Sequence, residues 1–149
     1  MRRRIDPSRA ADYPANIQAI LKRQAPCSAW LNQEVQEIDA EAGFARIAYE
    51  FGESHLNRYG ALHGGAVACA MDDALAVAAG LFLQWGEIAP TLEMKVSYLT
   101  QASMGRHIAD ARVIRRGRQI NFLEASLSDG SDKLIATASA TIMYAPMKR

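Results

Sequence analysis

The chain has 149 residues, and 17 Lys and Arg against 16 Asp and Glu give it a formal net charge of +1. Half of the residues are hydrophobic and 22% are charged, which is ordinary for a globular protein and excludes the disordered and collagen-like classes. The balanced charge gives no reason to expect nucleic acid or an acidic membrane surface as a partner. We therefore expect a single domain over 1–149 that binds neither nucleic acid nor membrane.

In the first third of the chain, the spacing of the apolar residues changes from a helical to a strand period. Residues 1–12 predict a loose polar arm, and the apolar spacing over 14–24 predicts a short amphipathic helix that Pro26 ends. The period then becomes two, which predicts strands over 33–39 and 44–51, joined by a short hairpin turn.

The next segment, 64–83, is almost wholly apolar and long enough to suggest a membrane span. Asp72 and Asp73 lie at its centre, where each carboxylate would cost about 2.5–3.5 kcal/mol on insertion into a bilayer. A long helix inside a globular protein is therefore the better interpretation. Because this helix is apolar nearly all round, it must be covered on most sides.

Alternating apolar and polar residues predict four further strands, over 91–99, 106–115, 119–127 and 133–144. In the first of them the alternation places Leu92 on the apolar face and Thr91 on the polar face. Short connections that contain glycine indicate antiparallel hairpins. The order of elements predicts an α+β fold, with an antiparallel sheet of about six strands wrapped around one long central helix. One sheet cannot enclose a helix fully, so we expect a second subunit to cover the remainder.

The two cysteines, Cys27 and Cys69, lie 42 positions apart, without a CxxC motif or a histidine at zinc-ligand spacing. This number and spacing of cysteines predicts no metal site and is typical of reduced thiols in a cytoplasmic protein. The basic first residues lack the apolar run of a signal peptide, which also favours a cytoplasmic location.

The most informative segment lies directly before the long helix. Asn57 is followed six residues later by His63-Gly64-Gly65, and Asp72 comes nine residues after the histidine. A glycine-rich turn that leads into a helix presents unpaired N–H groups at the positive end of the helix dipole, which suits an oxyanion or a phosphate. In a simpler interpretation, the glycines only form a tight turn that His63 caps. The carboxylates in the apolar helix favour the functional interpretation, because a buried Asp must be paired or hydrogen-bonded.

This spaced pattern resembles the hotdog-fold acyl-CoA thioesterases of the phenylacetate-pathway (PaaI-like) type. The likeness covers roughly 30–145 and includes 91–98, Gly105, 116–118 and 134–136. The resemblance implies a hotdog fold and an enzyme that hydrolyses an acyl-CoA thioester to a free carboxylic acid and CoA. It implies no cofactor, since CoA is part of the substrate, and a homodimer or homotetramer.

The resemblance also implies roles for individual residues. The N–H of Gly64 would polarise the thioester carbonyl, and Asp72 would act as nucleophile or as general base for water. Asn57 and His63 would shape the pocket, and Thr91 occupies a position where the family has a Ser or Thr that helps to hold water. Fixed donors for a developing oxyanion and a carboxylate for attack agree with the general chemistry of the reaction.

Substrate binding is expected at two further places. Gly65 allows a ligand to approach the helix N-terminus closely. Arg115, Arg116 and Arg118 lie at a hairpin tip, where they either bind the phosphates of CoA or form a solvated turn.

Three alternatives stay open at this point. Asp73 competes with Asp72 as the reacting carboxylate, and the spacing from His63 favours Asp72. The protein could be a non-catalytic acyl-CoA or acyl-carrier binding protein, or a hotdog-fold hydratase or dehydratase.

Spacing along the helix predicts where the site is assembled. Asp72 comes eight positions after Gly64, which is about 12 Å along a helix axis. A reacting carbonyl must lie about 3 Å from its donor and close to the attacking group. Two antiparallel helices across a two-fold axis would bring Gly64 of one subunit near Asp72 of the other, so we expect the site at a subunit interface.

Overall fold

The computed structural model describes residues 3–22 and 24–147. Its elements in chain order are β1 (Arg3–Arg4), a 3₁₀ helix (Pro7–Asp12), α1 (Ala15–Lys22), α2 (Pro26–Trp30), β2 (Glu34–Asp39), β3 (Phe44–Phe51), a second 3₁₀ helix (Glu53–His55), α3 (Gly64–Gly80), β4 (Glu87–Ile88), β5 (Thr91–Tyr98), β6 (Gly105–Arg116), β7 (Ile120–Asp129), β8 (Leu134–Met143) and β9 (Ala145–Pro146).

One antiparallel sheet with the strand order β1-β2-β3-β6-β7-β8-β5 forms the body of the fold. Its six longer strands are the six that the sequence predicts, and β1 adds two residues at one edge. The predicted hairpins β2–β3, β6–β7 and β7–β8 are all formed. The α+β architecture is therefore confirmed, with α3 as its long helix.

The helix α3 packs on the inner face of the sheet, against β3, β5, β6, β7 and β8. Small side chains recur every fourth residue on its buried side, at Ala66, Ala70, Ala74 and Ala78. Their size lets the helix approach the strands closely. The opposite side carries a stripe of half-buried and exposed residues that we call the open stripe: Gly65, Ala68, Cys69, Asp72 and Ala76. No described helix is long and apolar enough to cross a membrane.

The N-terminal segment differs from the loose arm that the sequence predicts over 1–12. Residues 3–4 pair with β2, and Ile5 is buried in the hydrophobic core, because its apolar side chain gains from burial. Residues 1–2 lie outside the described residues. The helix predicted over 14–24 is confirmed as α1, Ala15–Lys22, but Pro26 begins α2, which the sequence analysis missed, rather than ending α1. Proline suits the first turn of a helix as well as the end of one.

A β-bulge at the start of β5 reverses the predicted orientation of Thr91. The pairing with β8 slips between Thr91 and Glu93, so that Thr91 lies opposite the buried Ile142 while Leu92 is 53% exposed. An extra residue in one strand turns the preceding side chain to the other face. Thr91 therefore faces α3.

Candidate active site

A tight loop leads the chain from the second 3₁₀ helix into α3. The Asn57 N–H donates to the carbonyl of Ala61 at 2.8 Å, and Asn57 Oδ1 accepts from the N–H groups of Tyr59 at 2.9 Å and Ala61 at 3.3 Å. Gly60 has a φ of +77°, which a residue without Cβ adopts readily. Asn57 thus fixes the loop that places His63 at the start of α3.

The N-terminus of α3 presents a free backbone donor at Gly64. His63 is the N-cap residue, and its Nδ1 accepts from the N–H of Gly65 at 2.8 Å. The His63 carbonyl accepts from Ala66 and Val67. No described residue accepts a hydrogen bond from the Gly64 N–H. This donor lies at the positive end of a 17-residue helix, where it can stabilise developing negative charge.

The two glycines of the motif serve different purposes. The N–H of Gly65 is engaged by His63, and a Cβ at Gly65 would lie 2.9 Å from His63 Nδ1, so a side chain there would displace the imidazole. A Cβ at Gly64 would make ordinary contact with the Tyr98 ring at 3.4 Å. The Tyr98 hydroxyl donates to the Gly64 carbonyl at 2.8 Å, so the end of β5 holds the first turn of α3.

Asp72 lies roughly two helical turns after Gly64, on the open stripe, and is half-buried. Its Oδ1 accepts a hydrogen bond from the hydroxyl of Thr91 at 2.8 Å, which is its one partner among the described residues. The structure thus brings Thr91 and Asp72 together, and the bulge in β5 is the reason. The second carboxylate oxygen of Asp72 is left for other partners.

The neighbouring carboxylate, Asp73, is fully engaged within the fold. It accepts from the hydroxyl of Ser28 at 2.5 Å, the side-chain amide of Gln33 at 2.5 Å and the hydroxyl of Tyr49 at 2.7 Å. Burial, reinforced by the charge of Asp73, raises the pKa of Tyr49 well above its usual value, so this phenol remains a donor. Asp73 therefore joins α2 and β3 to α3.

The arginines at the β6–β7 hairpin lie at the other end of α3. Arg115, Arg116 and Arg118 are exposed, and the guanidinium carbon of Arg116 lies 4.5 Å from the ring centroid of Phe82, just after the helix C-terminus. Gly64 and Phe82 are about 25 Å apart along the helix direction. One chain does not bring these arginines to Gly64.

A cavity of about 390 Å³ opens beside Gly64. Apolar side chains from Leu62, Val67, Leu99 and Ile135 line it, together with Tyr98. Among the described residues, no group of three or more His, Cys, Asp or Glu side chains could hold a metal ion.

Comparisons with known proteins identify the family. Residues 59–136 match the model of the thioesterase superfamily. The chain belongs to the thioesterase superfamily. A phenylacetic acid degradation-related protein from Ralstonia eutropha JMP134 shares its fold with a TM-score of 0.80 and 31% identity, over 85% of this chain and 97% of that one.

The chain is also similar to a curated relative and to a second solved structure. The 1,4-dihydroxy-2-naphthoyl-CoA hydrolase of Listeria monocytogenes is 26% identical over 108 residues, which is 72% of this chain and 88% of the relative. The E. coli PaaI protein, from the phenylacetic acid degradation operon, has a TM-score of 0.79 at 21% identity, over 95% of this chain and 96% of that one, and shows the fold. The hotdog fold and the PaaI-like resemblance are confirmed, and the protein is of the thioester hydrolase class.

The sequence analysis of this thioesterase missed three residues that build the site. Ser28 and Gln33 lie in and after α2, a helix of five residues that was not predicted. Tyr98 was included only as part of the strand predicted over 91–99, without a role of its own. Its place at the end of a strand, where a phenol can reach a polar partner, was the available signal.

Proposed function

We propose that this protein hydrolyses an acyl-CoA thioester to a free carboxylic acid and CoA. The observation that carries the proposal is that α3 holds two complementary groups: a Gly64 N–H without an acceptor among the described residues, and, two turns later, an Asp72 carboxylate with one open oxygen. As the thioester carbonyl becomes tetrahedral, negative charge develops on its oxygen, and a fixed donor there lowers the barrier without reorganisation. The proposed reaction uses no metal or organic cofactor.

Asp72 supplies the attacking chemistry in this proposal. Either its free oxygen bonds to the carbonyl carbon and expels the CoA thiolate, giving an anhydride that water opens, or it removes the proton of an attacking water. The hydroxyl of Thr91 donates to Oδ1 and so orients the carboxylate in both routes. Asn57 and His63 act by fixing the loop and the helix start.

The edge strand β5 supports a site shared by two subunits. In the described chain β5 pairs with β8 on one side only, and its neighbourhood exposes Leu92, Tyr98 and Leu99 by more than half. An unpaired edge strand of eight residues, with exposed apolar side chains near both of its ends, is a template for a second strand. We therefore propose a homodimer formed by two β5 strands, which could pair further into a homotetramer.

The contacts at the two ends of β5 explain how such a dimer would complete the site. Thr91 at its start bonds to Asp72, and Tyr98 at its end bonds to Gly64. In an antiparallel pair of β5 strands about a two-fold axis, the start of one strand lies beside the end of the other. Asp72 of one subunit would then approach Gly64 of its partner.

The rest of the substrate is assigned by its chemistry. We place the acyl group in the apolar cavity beside Gly64 and the phosphates of CoA at Arg115, Arg116 and Arg118. A cytoplasmic location belongs to the same proposal, since both cysteines are free thiols.

The test is release of free CoA from a panel of acyl-CoA thioesters, followed with a chromogenic thiol reagent and corrected for the protein's own two thiols. The proposal expects equal amounts of thiol and free acid, and their loss in Asp72→Asn. Tight binding of acyl-CoA without thiol release would instead indicate a binding protein. Hydration of an enoyl-CoA without thiol release would indicate a hydratase.

A further inference from the structure

The two cysteines lie side by side between α2 and α3. The Sγ atoms of Cys27 and Cys69 are 3.0 Å apart and share a hydrogen bond. A disulfide bond measures about 2.05 Å, so the sulfurs would need to approach by about 1 Å to form one.

The surroundings hold the two sulfurs in this position. Ser28, next to Cys27, donates to Asp73, which lies one helical turn after Cys69. At the C-terminal end of α2, the carbonyl of Trp30 is hydrogen-bonded to His55 Nε2 at 2.8 Å. These two contacts anchor α2 at its centre and at its C-terminal end, and they place Cys27 opposite Cys69.

We propose that Cys27 and Cys69 form an oxidative modification site, where an intramolecular disulfide clamps α2 to α3. The oxidant is a low-molecular-weight disulfide. The Cys27 thiolate attacks one of its sulfurs and releases one thiol, and the Cys69 thiolate then attacks the Cys27 sulfur and releases the second. The protein gives up two protons and two electrons, and the oxidant is reduced to two thiols.

The order of these steps follows from exposure. Cys27 is exposed and Cys69 is half-buried, so the oxidant reaches Cys27 first. Burial, with the hydrogen bond and charge of Cys27 as further causes, raises the pKa of Cys69 to about 12. Cys69 is therefore a poor first nucleophile, and its contact with Cys27 makes it the resolving thiol. The second step should accelerate as the pH rises.

The site does not depend on the proposed hydrolysis, because it needs neither Asp72 nor a substrate. Cys69 nevertheless belongs to the open stripe and precedes Asp72 by three residues. The disulfide would close a loop of 42 positions and remove conformational freedom from the unfolded chain. The oxidised protein should therefore unfold at a higher temperature than the reduced protein.

The experiment incubates the full-length protein with glutathione disulfide under mildly alkaline conditions and then counts thiols in denaturant. We expect wild type to lose both thiols, to carry no glutathione, to run as a single chain without reductant, and to show a raised melting temperature that reductant reverses. Peptide mapping should link Cys27 to Cys69.

Two single variants provide the matched controls. Cys69→Ser should stop as a glutathione adduct on Cys27, and Cys27→Ser should keep its one thiol under the same conditions. Wild type that keeps both thiols, that accumulates the glutathione adduct, or that cross-links between two chains would overturn the proposal.

Discussion

At the scale of single residues, the adjacent carboxylates Asp72 and Asp73 differ in what donates to them. A carboxylate removed from water needs several donors, and Asp73 has three. Among the described residues Asp72 has one donor, Thr91, and it lies on the open stripe. The spacing from His63 was enough to favour Asp72 from the sequence. The donors of Asp73 were not predictable, because they come from segments that only the fold brings to α3.

Replacing Asp72 with Asn should abolish most of the activity without unfolding the protein. The change keeps the size of the side chain and removes the nucleophile or base, so kcat should fall by about 100-fold or more, the scale of a lost acid or base group. Thiol release from an acyl-CoA under saturating conditions measures this directly. Thermal unfolding should shift little, because only the bond to Thr91 is affected.

The matched control is Asp73→Asn, which should show the reverse pattern. An amide cannot accept from three donors as a carboxylate does, so the free energy of unfolding should fall by about 1–3 kcal/mol while kcat changes much less. A larger loss of kcat in Asp73→Asn than in Asp72→Asn would show that the wrong carboxylate is assigned.

At the scale of elements, periodicity predicted the strands but not their irregularities. Alternation over β5 put Thr91 and Leu92 on the wrong faces, because one bulged residue shifts the register and the pattern of apolar residues contains no record of it. The helix α2 was missed because five residues are too few for a helical period to show. Both irregularities matter to the site, since they position Thr91 and Ser28.

The β6–β7 hairpin provides a test of substrate binding. Arg115→Ala with Arg118→Ala removes two exposed charges and leaves Arg116 on the ring of Phe82. If these arginines contact phosphates, KM for acyl-CoA should rise more than kcat falls, because the contacts lie far from the reacting carbon. A short thioester without the nucleotide should show no such change.

The control for this hairpin is Arg112→Ala on the same strand, whose guanidinium pairs with Glu124 at 3.2 Å on the surface. It should leave both kinetic constants nearly unchanged. Equal losses on acyl-CoA and on the short thioester would refute phosphate binding by the hairpin.

The C-terminal end of α3 should make the protein sensitive to alkali. The Tyr144 hydroxyl donates to the carbonyl of Ala79 at 2.9 Å, and burial raises the pKa of Tyr144 from 10.0 to about 12. Below pH 10 both the folded and the unfolded phenol are protonated, and stability is complete. Between pH 10 and 12 only the unfolded chain loses this proton, so the free energy of unfolding should fall by about 2–3 kcal/mol.

Urea unfolding at a series of pH values measures how the free energy of unfolding changes with pH. In Tyr144→Phe the free energy of unfolding should be about 1 kcal/mol lower at neutral pH, because the hydrogen bond to Ala79 is lost. Its fall between pH 10 and 12 should be smaller than in wild type, and the part that remains is assigned to Tyr49. Tyr59→Phe is the control, since Tyr59 is 83% exposed and should behave as wild type. An unchanged slope in Tyr144→Phe would contradict the assignment.

At the scale of the whole molecule, the sequence predicted the sheet from the alternation along its strands, and the central helix from one long apolar segment interrupted by two carboxylates. The position of β5 at the sheet edge did not follow from the chain order, since β5 pairs with β8 across two intervening strands. That position leaves one edge unpaired and one side of α3 open. Gly64 and Asp72 lie two helical turns apart on α3, beside opposite ends of β5. In the proposed dimer, each site therefore takes Gly64 from one chain and Asp72 from the other.

Subunit complementation tests whether the site is shared. Asn57→Ala and Asp72→Ala are each expected to be nearly inactive, with folding checked by circular dichroism. When the two variants are unfolded, mixed equally and refolded, random pairing gives half mixed dimers. Each mixed dimer has one intact site and one doubly damaged site, so about a quarter of the sites should recover. Mass-tagged subunits confirm the exchange independently. Mixed dimers that form and stay inactive would mean that Asn57 and Asp72 act within one chain, and the assignment of Gly64 and Asp72 to different subunits would be wrong.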